Sequence, residues 1–249
     1  MKILSYIPAR GGSKGIHRKN IQDLNGFPLL AYTISSSLQC DLIQKTIVSS
    51  DDKEILKIAK DYGANITERP KKLSEDDSRI VPGIRSALIE QGENGYVPDY
   101  IILNQPTSPF RLIKDLENSI NLLSEKFDAV MSISLVPAHY HPIWNKKIDK
   151  GGQVFSTFTD SEVKHPIIES SKYYYQRQQL VGDYYWKNGA IYIMSYESVM
   201  NLDHRYGKRC AGYIIPQDRI VNIDQELDLE WARFLLKTKK INLDFNLDK

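Results

Sequence analysis

The chain opens on a short apolar run, residues 3–7, that reads as a buried strand rather than a helix. Further strands are predicted at 45–50, 65–67, 100–103, 129–135, 188–194 and 220–224. Between them the period changes to that of a helix. Gly26 and Pro28 mark the start of one helix, Pro28 sitting near its first turn. Asp51 and Asp52 precede Ile55, Ile58 and Ala59, with Gly63 placed as a C-terminal cap. Further helices are predicted at 80–91, 113–124 and 225–237, the last burying Leu227, Trp231, Phe234 and Leu235. This alternation predicts a three-layer α/β/α domain with a mostly parallel, Rossmann-like sheet. The tail at 237–249 reads as exposed.

The rhythm breaks between 137 and 187. That stretch holds a Gly-Gly turn at 151–152, a strand-like segment at 153–159 and a polar-aromatic run from Tyr173 to Gln179. It reads as an insertion in one domain of 1–249, with aromatic content suited to burial against a partner subunit. Asn188-Gly189 then reads as the turn that launches the next strand.

Composition narrows the classes. A chain of 249 residues supports one large core with a modest excursion. The net charge of +2 is too small to argue for nucleic acid or an anionic membrane as partner. The N-terminus leads straight into the first strand, and no apolar run is long enough for a membrane span, so a cytoplasmic location is expected. Cys40 and Cys210 are far apart and lack metal-ligand spacing, which reads as two free thiols. His139 and His141 lack a neighbouring carboxylate or thiol and read as a packed loop. Asp51 and Asp52 read as capping groups before metal ligands.

The chemistry concentrates in residues 7–20, IPARGGSKGIHRKN. Gly11, Gly12 and Gly15 free the backbone, and Arg10, Lys14, Arg18 and Lys19 add fixed positive charge directly after a strand. Flexible N–H donors with clustered cations are what a polyphosphate requires. The spacing is neither a P-loop nor a dinucleotide fingerprint.

This stretch, with LNQPTSPFR, NGAIYI and IDQELDLEWA further on, resembles the acylneuraminate cytidylyltransferases, the CMP-sialic acid synthetase family, over nearly the full length. The resemblance implies a nucleotide-diphospho-sugar transferase type of sheet, a homodimer built through the insertion, and CMP transfer from CTP to a nonulosonic acid. It implies nucleotide contacts at Ala9, Arg10, Gly11, Gly12, Ser13, Lys19, Asn20, Arg69, Ser78 and Gln105. It places the sugar acid at Gln105, Thr107, Ser108, Asn188 and Gly189, with Arg177 reaching the sugar carboxylate from the partner. Arg10 and Lys19 would stabilise the triphosphate, and Asp224 would anchor Mg²⁺. The family's D-x-D departs here: its first position is Asn222, an amide that can still ligate Mg²⁺ but brings no charge. Two cations of sialic-acid members are replaced by Trp144 and Trp186, which favours a sugar with apolar or acyl substituents. The alternatives are a synthetase for 3-deoxy-octulosonate, or a catalytically weakened nucleotide binder.

Overall fold

The structure is a computed structural model that describes residues 1–75, 78–156 and 183–248. Two compact units are present: residues 1–133 with 188–249, and residues 134–187.

The first unit is organised by a seven-stranded sheet. Its strands are β1 (Ile3–Pro8), β2 (Lys45–Ser50), β3 (Asn65–Glu68), β4 (Tyr100–Leu103), β5 (Ala129–Leu135), β6 (Tyr185–Ser195) and β7 (Cys210–Ile214), in the order β7-β5-β6-β4-β1-β2-β3. The pairs β1–β2, β2–β3, β1–β4 and β5–β7 are parallel, whereas β6 runs antiparallel to β4. Side chains alternate between two cores, as a pleated strand dictates. From β1, Leu4 and Tyr6 join Val81, Ile84 and Leu88 of α3 (Ile80–Glu93) and Val199 of α5 (Tyr196–Met200). Ile7 joins Leu30 and Ile34 of α1 (Leu29–Leu38) and Ile55 and Ala59 of α2 (Lys53–Asp61). Ile3 packs in a cluster with Leu116 and Ile120 of α4 (Ile113–Ile120). The expected three-layer architecture is present.

Caps explain where helices begin. Asp52 accepts the backbone N–H groups of Glu54 and Ile55 at the start of α2. Asp228 accepts those of Asp224 and Gln225 at the start of α6 (Glu226–Lys237).

Five expectations are corrected. Helix α4 ends at Ile120, because the chain tightens into turns that bond Leu122 to Ser119 and Leu123 to Ile120. Strand β6 starts at Tyr185, so Asn188-Gly189 lies within it rather than before it. Residues 220–224 form no strand: Val221 and Ile223 alternate inward onto a cluster with α6, without a sheet ladder. The edge strand is Cys210–Ile214 instead. Helix α6 buries Leu229, Ala232 and Leu235, while Leu227, Trp231 and Phe234 are exposed by 76%, 51% and 49%. The tail is not simply exposed, since Ile241 and Phe245 are buried. Its Asp244 accepts the first two backbone N–H groups of α4 and so caps that helix.

In the second unit, a hairpin pairs Lys146–Ile148 with Val154–Ser156 around the Gly151-Gly152 turn. The edge of the Tyr184 ring faces His141 at 4.7 Å, and His141 is buried, in keeping with a packed loop. Both cysteines are free thiols. Among the described residues, no helix is long and apolar enough to cross a membrane.

Candidate active site

The sheet order fixes where a ligand can enter. From β1 the chain steps outward to β2 and β3, then returns to the other side of β1 as β4. The loops leaving β1 and β4 therefore diverge, and the crevice between them is where open α/β sheets bind ligands. A cavity of about 520 Å³ occurs there, lined by Arg10, Ser13, Lys19 and Asn20 from the first loop and by Gln105 and Thr107 from the second. Arg69, Ser78, Asn222 and Asp224 complete its wall. Ten of the residues expected at the site are thus brought to one cavity.

The β1 loop is held mainly at its backbone groups, which meet both backbone and side-chain partners. Ala9 is fully buried and donates its N–H to Ser49 O at 2.9 Å. Gly11 donates to Asp51 Oδ1 at 3.0 Å, so that N–H is already used. Asn20 Nδ2 donates to Arg10 O at 2.9 Å and fixes the loop's chord. Gly15 lies against the Asp224 backbone, where a Cβ would fall 2.0 Å from the carbonyl oxygen. Only glycine permits that approach. Gly12 faces open space and does not line the cavity.

The loop's cations divide. Arg18, in a left-handed conformation at φ 51°, turns to Asp52 at 3.1 Å and Glu54 at 2.8 Å, tying the loop to α2. Arg10, Lys14 and Lys19 line the cavity. Lys19 Nζ donates to Ile223 O and to Asp224 Oδ1, each at 2.8 Å. A lysine and a carboxylate are therefore joined on the cavity wall, bringing together residues 205 apart in sequence.

The β4 loop is held by side chains. Ser108, 3% exposed, donates to Asn222 Oδ1 at 2.6 Å, and Asn222 Nδ2 donates to Asn188 O at 2.9 Å. Asn188 is fully buried, its Oδ1 accepting from Ser132 and from Ala190 N–H. Gly189 has φ +80°, and a Cβ there would meet Gln105 Oε1 at 3.3 Å. Ser108, Asn188 and Gly189 thus support the wall without lining it. Beneath them lies Arg111, a residue the sequence did not single out. Arg111 is 2% exposed; its Nε donates to Ala190 O at 2.7 Å and its Nη2 to Gln105 O at 3.0 Å. Burial pulls this guanidinium down to about 9, against the opposing pull of the Asp115 carboxylate. The missed signal was a lone arginine among apolar neighbours Phe110 and Leu112.

Arg69 is another buried cation, 8% exposed, with no hydrogen-bond partner for its Nε among the described residues. A Cβ on Gly83 would lie 3.2 Å from both its Nε and Nη2, so Gly83 leaves room for it. Burial raises the nearby Tyr6 phenol above its usual range, with the Arg69 charge acting in the opposite direction. Ser78 donates to Lys72 O at 3.1 Å while facing the cavity. Lys14 and Gly15 of the expected phosphate loop also line it, as does Glu75, which the sequence did not single out. Arg177 lies outside the described residues. Trp144 and Trp186, both half-buried, belong to the second unit. Among the described residues, no three His, Cys, Asp or Glu side chains gather to hold a metal by themselves. Asp224 offers a 73% exposed carboxylate on the cavity wall, so a hard cation here would draw its other ligands from substrate oxygens.

The chain is 32% identical over 254 residues to the N-acylneuraminate cytidylyltransferase of Escherichia coli O18:K1:H7, covering 99% of this chain and 55% of that protein. It therefore spans about half the length of that relative. It is 30% identical over 209 residues to the CMP-N,N'-diacetyllegionaminic acid synthase of Legionella pneumophila, covering 84% of each. The fold matches that of CMP:2-keto-3-deoxy-manno-octonic acid synthetase, solved in complex with CTP. The TM-score is 0.69 at 14% identity, covering 96% of this chain and 100% of that one. A family model described as Cytidylyltransferase matches residues 5–241, and the chain belongs to that family.

Proposed function

We propose that this chain transfers CMP from CTP to the anomeric hydroxyl of a nonulosonic acid. The hydroxyl oxygen bonds to the α-phosphorus with loss of its proton, the bond from that phosphorus to the β-phosphate bridge breaks, and pyrophosphate leaves. The observation that carries this reading is the Lys19–Asp224 pair at 2.8 Å on a cavity lined also by Arg10 and Lys14. Such a wall neutralises a triphosphate and the charge that develops during transfer. Ser13 and Gly15 bring loop backbone to the same cavity, where N–H groups suit phosphate oxygens. Arg69, buried and facing the cavity, suits an anionic or carbonyl oxygen of the nucleotide.

Asp224 would hold a divalent cation such as Mg²⁺, which supplies charge neutralisation on the phosphates. In this reading the protein is a cytoplasmic homodimer assembled through residues 137–187, and Arg177 meets the sugar carboxylate across the interface. Trp144 and Trp186 stand in place of two cations, and that exchange favours an N-acylated, deoxygenated acid of legionaminic or pseudaminic type. The name of the Legionella relative supports that preference.

The test is pyrophosphate release with CTP, Mg²⁺ and a panel of legionaminic, pseudaminic, N-acetylneuraminic and 3-deoxy-octulosonic acids. Release is expected with CTP and a nine-carbon acid, strongest for the N-acylated deoxy sugars. A clear preference for N-acetylneuraminic acid would remove the sugar assignment; release only with the eight-carbon acid, or none at all, would remove the reading itself.

A further inference from the structure

Asn222 stands where a second metal-binding carboxylate was expected, and its amide is fixed at both ends. Nδ2 meets Asn188 O at 2.9 Å and Oδ1 meets Ser108 Oγ at 2.6 Å. A carbonyl oxygen can be met only by a donor, so the chemistry of Asn188 O dictates which way the amide faces. Neither neighbour is free to turn aside, since Asn188 is 0% and Ser108 3% exposed. A carboxylate at this position would set an acceptor against an acceptor in a buried setting, which is costly. Position 222 is thus built for an amide.

A second amide converges on it. The point where a Cβ of Gly189 would stand lies 3.3 Å from Gln105 Oε1, 3.5 Å from Asn222 Oδ1 and 3.6 Å from Asn222 Nδ2. Gln105 and Asn222 both line the cavity. The result is a neutral pair of amides over a glycine floor, two residues before the one carboxylate, Asp224, that Lys19 holds. Each amide presents N–H groups as well as an oxygen, and N–H groups repel a cation.

We infer that Asn222, paired with Gln105, is a substrate-positioning amide that hydrogen-bonds an uncharged polar group of the sugar acid, a hydroxyl or an N-acyl amide, and is no metal ligand. Of positions 222 and 224, only Asp224 then serves the cation. The inference rests on the reading above, but its first test does not depend on turnover. Mn²⁺ binding with a non-hydrolysable CTP analogue, followed by electron paramagnetic resonance, is measured for wild type, Asn222→Ala, Asn222→Asp and Asp224→Asn. Both Asn222 variants should keep the wild-type Mn²⁺ affinity within about threefold, while Asp224→Asn should weaken it about tenfold or more. In steady-state assays, Asn222→Ala should raise KM for the sugar acid about tenfold and leave KM for CTP nearly unchanged.

A tenfold loss of Mn²⁺ affinity in Asn222→Ala, or a tenfold gain in Asn222→Asp, would make Asn222 a ligand and overturn the inference. An unchanged sugar KM would overturn it as well. If Asn222→Ala fails to fold, Ser108→Ala, which leaves the bond to Asn188 in place, carries the same comparison. If wild type turns over no acid, the functional reading fails, and the Mn²⁺ titration still decides whether Asn222 binds the cation.

Discussion

The loop that leaves β1 and the loop that leaves β4 border the same cavity, yet they are held in different ways. The first is fixed by backbone: Ala9 on Ser49, Gly11 on Asp51, and Gly15 pressed against the Asp224 carbonyl. Of its cations, Arg10, Lys14 and Lys19 line the cavity, while Arg18 ties the loop to α2. The second is fixed by buried side chains, with Arg111, Ser108, Asn188 and Asn222 interlocked beneath Gln105. A backbone-held cationic loop suits a flexible, highly charged tail, because its donors adapt and its charges are long-range. A side-chain lattice with neutral amides suits a substrate whose hydroxyl and acyl groups must be told apart, because amides report position rather than charge.

Substitutions can break this contrast, beginning with the most damaging. Asp224→Ala should lower kcat at least about hundredfold, with the circular dichroism spectrum unchanged because the side chain is 73% exposed. Retention of more than about a tenth of kcat would be too little loss for a principal ligand. Arg111→Leu should cost about 2–3 kcal/mol of stability through two lost charged hydrogen bonds, seen as a Tm lower by about 2–4 °C for each kcal/mol. It would loosen the amide wall first, so KM for the sugar acid should rise more than KM for CTP.

Gly15→Ala should cost about 1–3 kcal/mol by overpacking, read as weaker CTP binding by calorimetry. Gly12→Ala, which meets open space, is its control and should change CTP affinity little. Arg69→Met should weaken CTP binding about tenfold while leaving Tm equal or higher, since a buried cation without a partner at Nε among the described residues is stability given up for binding. The smallest effect should come from Ser108→Ala, about 1 kcal/mol in sugar KM alone. An equal effect on CTP would show that the two walls are not separable.

The cationic wall was legible in the sequence because both of its ingredients are local: three glycines and four cations within ten residues. Strands such as β2, β4 and β5 were legible too, β4 as an almost fully apolar run and β2 and β5 as short stretches with apolar centres. So was the Asp52 cap. The amide wall was less so, because Ser108, Asn188 and Asn222 meet only through tertiary contact, and Arg111 is marked only by its apolar neighbours Phe110 and Leu112. Val221 and Ile223 imitate a strand, since alternate burial against α6 has the same period of two as a pleat. Helix α6 was misread for a related reason. It carries apolar residues on two faces, and spacing cannot say which face meets the core when Leu227, Trp231 and Phe234 compete with Leu229, Ala232 and Leu235. The true edge strand, Cys210–Ile214, contains a glycine and exposes Cys210 and Ile214, so apolar residues fall on both faces and give little periodic signal.

The most direct measurement is a crystal structure of the protein with a non-hydrolysable CTP analogue and Mg²⁺. The account predicts the triphosphate against Arg10, Lys19 and the 13–15 backbone, with the cation on Asp224 and the Asn222 amide still bound to Ser108 and Asn188. A nucleotide bound elsewhere, with Arg10 and Lys19 turned to bulk solvent, would contradict it.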